Sequence, residues 1–218
     1  MQTTERAHGL ILRTRPFTET SLIVNWLTAD LGRISTVAKG ARRAKSPFRG
    51  KLDLFYEGDF SFHRSRRSEL HTLREVVLRE TNVALRQELR YLQQASYGAQ
   101  LIEQTTETQT PLPEVYELFL GFLHALPKQP PKPRTIFAFE LKLLGILGLA
   151  PDFAERKLPA ETRALMMALA ETDWEDLGEL RATAAQAGAI KQFLHGFFDL
   201  PFGKNPQGTG AGGGIGRI

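Results

Sequence analysis

A chain of 218 residues with no cysteine excludes disulfide frameworks, thiolate nucleophiles and every cysteine-based zinc site. Its 42% hydrophobic and 24% charged residues are those of an ordinary globular protein, long enough for one large domain or two small ones. The net charge of +4 is uneven: residues 1–80 hold fifteen Lys and Arg against nine Asp and Glu, a net of +6, which leaves −2 for residues 81–218. A basic half followed by a mildly acidic half predicts two modules with different work. No apolar run approaches the ~18 residues a membrane helix needs, and the opening MQTTERAHG has no signal-peptide apolar region. The expected location is the cytoplasm, which the absence of cysteine also fits.

In chain order, Gly9–Arg13 reads as a short apolar strand ending at Pro16, and a turn over Thr14–Glu19 leads into a second strand, Ser21–Leu27. There Leu22, Val24 and Trp26 share one face. The tight turn Asp30-Leu31-Gly32 predicts a hairpin to a third strand from Arg33 to Ala38, in which Ile34, Thr36 and Ala38 alternate with Arg33, Ser35 and Val37. Leu52–Phe62, rich in aromatics, is a fourth strand, and Glu69–Leu78 returns as a fifth beyond the polar tip at Arg64–Ser68. Five short strands in about 75 residues match an OB-fold barrel, whose second and third strands and loops 1–2 and 4–5 bind nucleic acid.

Between the third and fourth strands runs the feature around which the chain is organised. Arg33, Lys39, Arg42, Arg43, Lys45, Arg49 and Lys51 lie in a stretch with no acid between Asp30 and Asp53. So dense a run repels itself unless an outside anion answers it, and a polyphosphate backbone does so by releasing condensed counterions. On charge alone a solvated loop is an equal reading. The barrel favours the anion, because it would gather Arg13 and Arg15 of loop 1–2, the Lys39–Lys51 connector, and Arg64, Arg66 and Arg67 of loop 4–5 on one face. Trp26 and Phe55 read as barrel core, with base stacking as the alternative. Phe48, between Pro47 and Arg49, is the stacking candidate within the loop.

The second half reads as helical. Leu85, Leu89, Leu92, Ala95, Ala99 and Ile102 recur at three and four after a Thr81-Asn82 cap, ending near Thr105. Val115, Leu118, Phe119, Phe122, Leu123 and Leu126 repeat the pattern up to Pro127, and a proline-rich connector reaches to Pro133. Arg134–Leu147 is apolar nearly all round and is expected at the centre of the bundle; Pro159–Ala170 and Ala182–Phe198 complete it. From Gly203 the chain is a glycine-rich tail. Its Gly208, Gly210 and Gly213 match a dinucleotide-loop spacing without the strand and helix that motif requires. The fold class expected is thus β + α in two domains: an OB-fold barrel over 1–80 and an all-α domain over 81–202, then the tail over 203–218.

No catalytic pattern emerges. His8, His63, His71, His124 and His195 are scattered, and neither a nucleophile elbow nor a P-loop occurs. The acids Asp173, Glu175 and Asp176 around Trp174 read as a helix start. A protein that is not an enzyme is expected.

The segments RPFTETSLIVNWLT from Arg15 and GRISTVAKGARR from Gly32 resemble the RecO family of bacterial recombination mediators. Shared positions are Arg15, Pro16, Glu19 and Ser21; then Gly32, Arg33, Ala38, Lys39, Gly40, Ala41 and Arg42; and, in a later F-E-L helix, Phe139, Glu140, Leu141, Leu143, Leu144, Leu147 and Gly148. The resemblance is specific over 8–80, fair over 134–152 and thin beyond. It implies an OB-fold followed by helices, binding of single- and double-stranded DNA, annealing of complementary strands, and contacts with RecR, with single-stranded DNA-binding protein and, in some members, RecF. Two departures stand out. The four-cysteine zinc module of many members is absent after Pro151, so neither metal nor other cofactor is expected. The basic residue that often precedes F-E-L, near the site for the acidic tail of single-stranded DNA-binding protein, is replaced by Phe137 and Ala138. Arg134 and Lys142 are then the nearest cations for that partner. The competing reading is an interaction scaffold whose basic face docks an acidic partner tail.

Overall fold

A computed structural model describes residues 3–150 and 158–198. Asp152 and Phe153, Phe202 and the glycine-rich tail fall outside them. Five strands close a barrel in the order β1-β2-β3-β5-β4: β1 is Thr4–Pro16, β2 Leu22–Thr28, β3 Gly32–Ala38, β4 Glu57–His63 and β5 Leu70–Glu80. The sheet closes because β1, at 13 residues, serves two neighbours. Its first half pairs with β4, from Thr4 against His63 to Leu10 against Glu57, and its second half with β2, from Leu10 against Leu27 to Pro16 against Leu22. A short parallel contact, Ser35 with Leu70 to Val37 with Thr72, seals β3 to β5.

The interior holds Ile11, Val24, Trp26, Ile34, Phe60 and Phe62. Trp26 stacks on Phe60 at 4.0 Å between ring centres, and its indole N–H donates to Thr36 Oγ1 at 2.9 Å, so the largest core residue keeps its polar atom satisfied. In β1 the alternation breaks: Gly9, Leu10, Ile11 and Leu12 are all buried. Ile11 points into the barrel, whereas Leu10 and Leu12, with Leu27 and Phe55, belong to the apolar cluster of the helices. The strand reads as an unbroken apolar run because both its faces are covered.

Five α-helices follow among the described residues: α1 Leu89–Thr105, α2 Pro113–Ala125, α3 Pro133–Ile146, α4 Ala160–Glu171 and α5 Ala184–His195. As its composition predicts, α3 is central and touches the other four. The first helix starts later than its pattern suggests. Asn82 is left-handed at φ 47 and opens a 3-10 turn over Val83–Gln87, and Leu89 is exposed. The side-chain amide of Asn82 donates instead to the carbonyl of Phe55 at 2.8 Å. Phe55 itself is left-handed at φ 63, so β4 begins only at Glu57. Its ring meets Phe119 edge-on at 6.2 Å, on the helical side of the sheet rather than within the barrel. No helix among the described residues is long and apolar enough to cross a membrane.

Two helical positions yield tests. At Gly98 an added Cβ would sit 2.9 Å from Phe122, 3.0 Å from Phe119 and 3.3 Å from Phe139. Gly98→Val should therefore lower unfolding free energy by about 1–3 kcal/mol, read in urea. Glu140, buried in α3, accepts a short hydrogen bond from Tyr97, while its Oε2 has no partner among the described residues. Burial raises its carboxyl from 4.5 to about 7, against the lowering effect of the Tyr97 bond. A carboxyl raised on folding favours the folded state while protonated, so its contribution is complete below 4.5 and lost as pH climbs through about 7. Urea midpoints of Glu140→Gln should lack the component of decline seen across that window in the parent chain.

Candidate nucleic-acid interface

Several of the cationic residues bind acids or carbonyls elsewhere in the fold, and the others are exposed and pair with no carboxylate among the described residues. Arg13 donates to Glu103 of α1, with Nη2 at 2.6 Å from Oε2. Arg33 donates from Nε to Thr106 Oγ1 at 2.8 Å and from Nη2 to the carbonyl of Thr106. Its own carbonyl accepts the amide of Gln109 at 2.9 Å, which lays the α1–α2 loop along the start of β3. Burial draws the Arg33 guanidinium below its ordinary value, as a joint residue would show. Arg64 grips Glu5 with two nitrogens, at 2.7 and 2.8 Å, and reaches Gln109 Oε1 with a third at 3.0 Å. The Arg64 hydrogen bond holds the Glu5 carboxyl below its usual range. Lys51 donates to the carbonyl of Val76 at 3.1 Å. Arg13, Arg33, Lys51 and Arg64, expected as ligands of an outside anion, each also make an internal contact, to Glu103, Thr106, Val76 and Glu5 respectively.

Phe48 needs correction. Only 6% exposed, it belongs to the barrel's apolar cluster and cannot present a ring face for stacking in this conformation. Its burial anchors the basic connector to the barrel.

The remaining cations are exposed. Among the described residues no carboxylate pairs with Arg15, Lys39, Arg42, Arg43, Lys45, Arg49, Arg66 or Arg67. The connector nonetheless has a defined path, through successive turns closed by Arg43 N to Gly40 O, Ser46 N to Arg43 O, Arg49 N to Ser46 O and Lys51 N to Phe48 O. Two further bonds tie it to loop 1–2: the Arg42 amide donates to the Thr20 carbonyl at 3.0 Å, and Nη1 to the Thr18 carbonyl at 3.1 Å. Thr18 Oγ1 in turn accepts the Ser21 amide at 3.1 Å. Arg49 Nη1 donates to Ala44 O at 3.4 Å, leaving the rest of its fork outward. Loop 1–2, whose one charged residue is the exposed Glu19, and the connector thus meet at the C-terminal end of β3, with Arg15 near the end of β1 beside them. The tip with Arg66 and Arg67 feeds β5 at Leu70, opposite Ser35 in the middle of β3, and is not joined to them by any bond among the described residues. The Thr18–Thr20 clamp escaped sequence reading, since its contributing atoms are backbone carbonyls that any residue supplies.

On the helical side, Arg134 and Lys142 do not converge. Arg134 Nη1 donates to Leu180 O at 3.2 Å and lines a groove of about 470 Å³ with Lys132, Arg181, Phe137, Leu165 and Leu169. No acid among the described residues lines that groove. Lys142 donates to Ala170 O at 2.9 Å, sits over the Trp174 ring and shares its surface with Glu114 and Glu117.

Comparison with known proteins adds two kinds of match. Residues 1–82 match the family model described as Recombination protein O N terminal, and residues 86–156 the one described as Recombination protein O C terminal. Among curated relatives, each named DNA repair protein RecO, that of Rhodopirellula baltica is 35% identical over 143 residues, covering 66% of this chain and 53% of that protein. That of Listeria monocytogenes serotype 4b is 30% identical over 158 residues, covering 72% and 61%. That of Anaeromyxobacter sp. strain K is 34% identical over 143 residues, covering 66% and 56%. The matches span between about half and three-fifths of these relatives' lengths.

The division of the arginines has a measurable consequence. Arg33→Ala removes the hydrogen bonds joining β3 to the α1–α2 loop, and should lower stability to urea by about 1–3 kcal/mol. The salt slope of DNA binding should stay that of the parent, whereas Arg43→Ala should lower that slope and leave the urea midpoint in place.

Proposed function

The chain belongs to the RecO family, a DNA repair and recombination family, and from that membership we propose that it is a non-enzymatic DNA-binding mediator acting in the cytoplasm. The proposal assigns nucleic-acid contact to the barrel over 1–80 and partner contact to the helices over 81–202. Strands of single- and double-stranded DNA are held by their phosphates along Arg15, Lys39, Arg42, Arg43, Lys45 and Arg49, with Arg66 and Arg67 extending the track. Charge held there reduces the repulsion between two backbones and lets complementary strands meet and anneal. The observation that carries this reading is the ordered connector itself: its cations lie at defined positions, uncompensated by any carboxylate among the described residues. RecR, single-stranded DNA-binding protein and RecF are the partners the family resemblance suggests.

A second reading, a helical site for an acidic partner tail, is supported by the groove at Arg134, where Lys132 and Arg181 add positive charge above an apolar floor. It narrows the sequence expectation: Arg134 belongs to that site, while Lys142, beside Glu114 and Glu117, does not.

Fluorescence anisotropy with a labelled single-stranded 40-mer tests the main reading. Affinity should fall steeply as salt rises. Replacing Arg42, Arg43 and Lys45 together by Ala should shallow the log–log slope by about 2, since each phosphate contact contributes about 0.7 on a single strand. A parent slope near zero, or one indifferent to the triple substitution, would place DNA contact elsewhere. Annealing of complementary oligonucleotides should slow in parallel.

A further inference from the structure

The basic connector encloses a cup of about 370 Å³. Its floor is apolar: Phe48 is buried, and Leu22, Ala41 and Leu52 are half-buried around it. Arg42, Arg43 and Arg49 form the rim, and Ala44 and Gly50 complete the lining without adding a polar side chain. A phosphate alone would use the rim and leave the floor bare. A duplex would reach the rim, but its bases are stacked away from the floor. The ligand this chemistry fits is flat and weakly polar, with negative charge on both sides.

Resting on the phosphate-binding reading above, we propose that the cup receives one unstacked nucleobase of single-stranded DNA, with Arg42, Arg43 and Arg49 holding the flanking phosphates. Guanidinium planes lie well against a base face as well as against phosphate, so the same rim serves both parts of the nucleotide. Among the described residues the floor has no hydrogen-bonding side chain to select among bases, so the cup distinguishes single from double strands rather than one sequence from another. Phe48 thereby returns to the binding site as buried floor, not as the exposed platform its place in the sequence suggested.

The test compares (dT)40 with a 40-unit abasic spacer strand of equal charge, using the full chain across a salt series. The cup predicts roughly tenfold or tighter binding of (dT)40 with equal salt slopes, because a base held on the apolar floor and against the guanidinium planes adds affinity without adding phosphate contacts. Ala44→Leu, which crowds the cup with aliphatic bulk and adds no ring on which a base could stack, should bring (dT)40 down to the affinity of the spacer, with an unchanged melting temperature as the check on folding. Equal affinity of both strands for the parent chain, with steep slopes, overturns the cup and leaves phosphate binding standing. Weak, salt-insensitive binding of both overturns the phosphate reading and the cup with it. A preference for (dT)40 that survives in a folded Ala44→Leu chain overturns this location for the base.

Discussion

The hydrogen bonds from Arg42 to the carbonyls of Thr18 and Thr20 are the constraint on which the rest depends. A loop with five positive side chains between Lys39 and Arg49 gains little from its own charges, which push apart over the ~10 Å range that ordinary salt leaves unscreened. Its path is fixed by neutral means. Backbone amides close successive turns, Phe48 is buried in the barrel, and Arg42 donates across to the neighbouring loop. None of these contacts removes charge. The fold supplies stability through its backbone and its apolar plug, so the cations remain available outward at fixed separations, a form of preorganisation for an extended anion.

The same residue type does opposite work a few residues away. Arg13, Arg33 and Arg64 lie where the barrel meets the α1–α2 segment or its own first strand, and each finds Glu103, Thr106 or Glu5. Arg33 and Arg64 are partly withdrawn from water while Arg13 stays exposed, and all three make charge-assisted bonds that join the barrel to the α1–α2 segment or to its own first strand. The cations left for an outside anion are accordingly defined by subtraction: they are those that remain once the seam has taken its share. Total charge could not have drawn that line, because all these arginines count equally toward the +6 of residues 1–80.

Much of the fold was legible in the sequence. Alternation in Leu22–Val24–Trp26 and Ile34–Thr36–Ala38 gave the barrel faces, and the all-round apolarity of Arg134–Leu147 gave the central helix. Those signals are local and periodic. Features set by distant partners were not legible. Phe55 and Asn82 adopt left-handed backbones within one network, in which the Asn82 amide reaches the Phe55 carbonyl and the Phe55 N–H reaches Ile11 O at 2.8 Å. Asn visits that conformation more readily than most residues but Phe does not, and the bond that links the two spans 27 positions of the chain. Phe48 looked exposed because its neighbours are proline and arginine, yet the barrel end needed a plug. For the site, the connector itself was readable, while the engaged arginines were not, because their acids and carbonyls lie up to 90 residues away.

The helical half shows the same logic from the other side. Arg134 and Lys142 are eight positions apart on α3 and both give their polar head to a carbonyl, yet their surroundings differ in sign. Lys132 and Arg181 stand near Arg134, and Glu114 and Glu117 near Lys142. An anionic ligand approaching Lys142 would meet two carboxylates, whose repulsion offsets the attraction of one ammonium that is already hydrogen-bonded. At Arg134 each added cation reinforces the last, and the apolar floor beneath rewards a ligand that carries hydrophobic groups beside its charge. Both faces of the protein therefore place cations beside buried apolar surface, and what separates them is geometry: a turn-built connector bonded to loop 1–2 on the barrel, a groove among α3, α4 and α5 on the bundle.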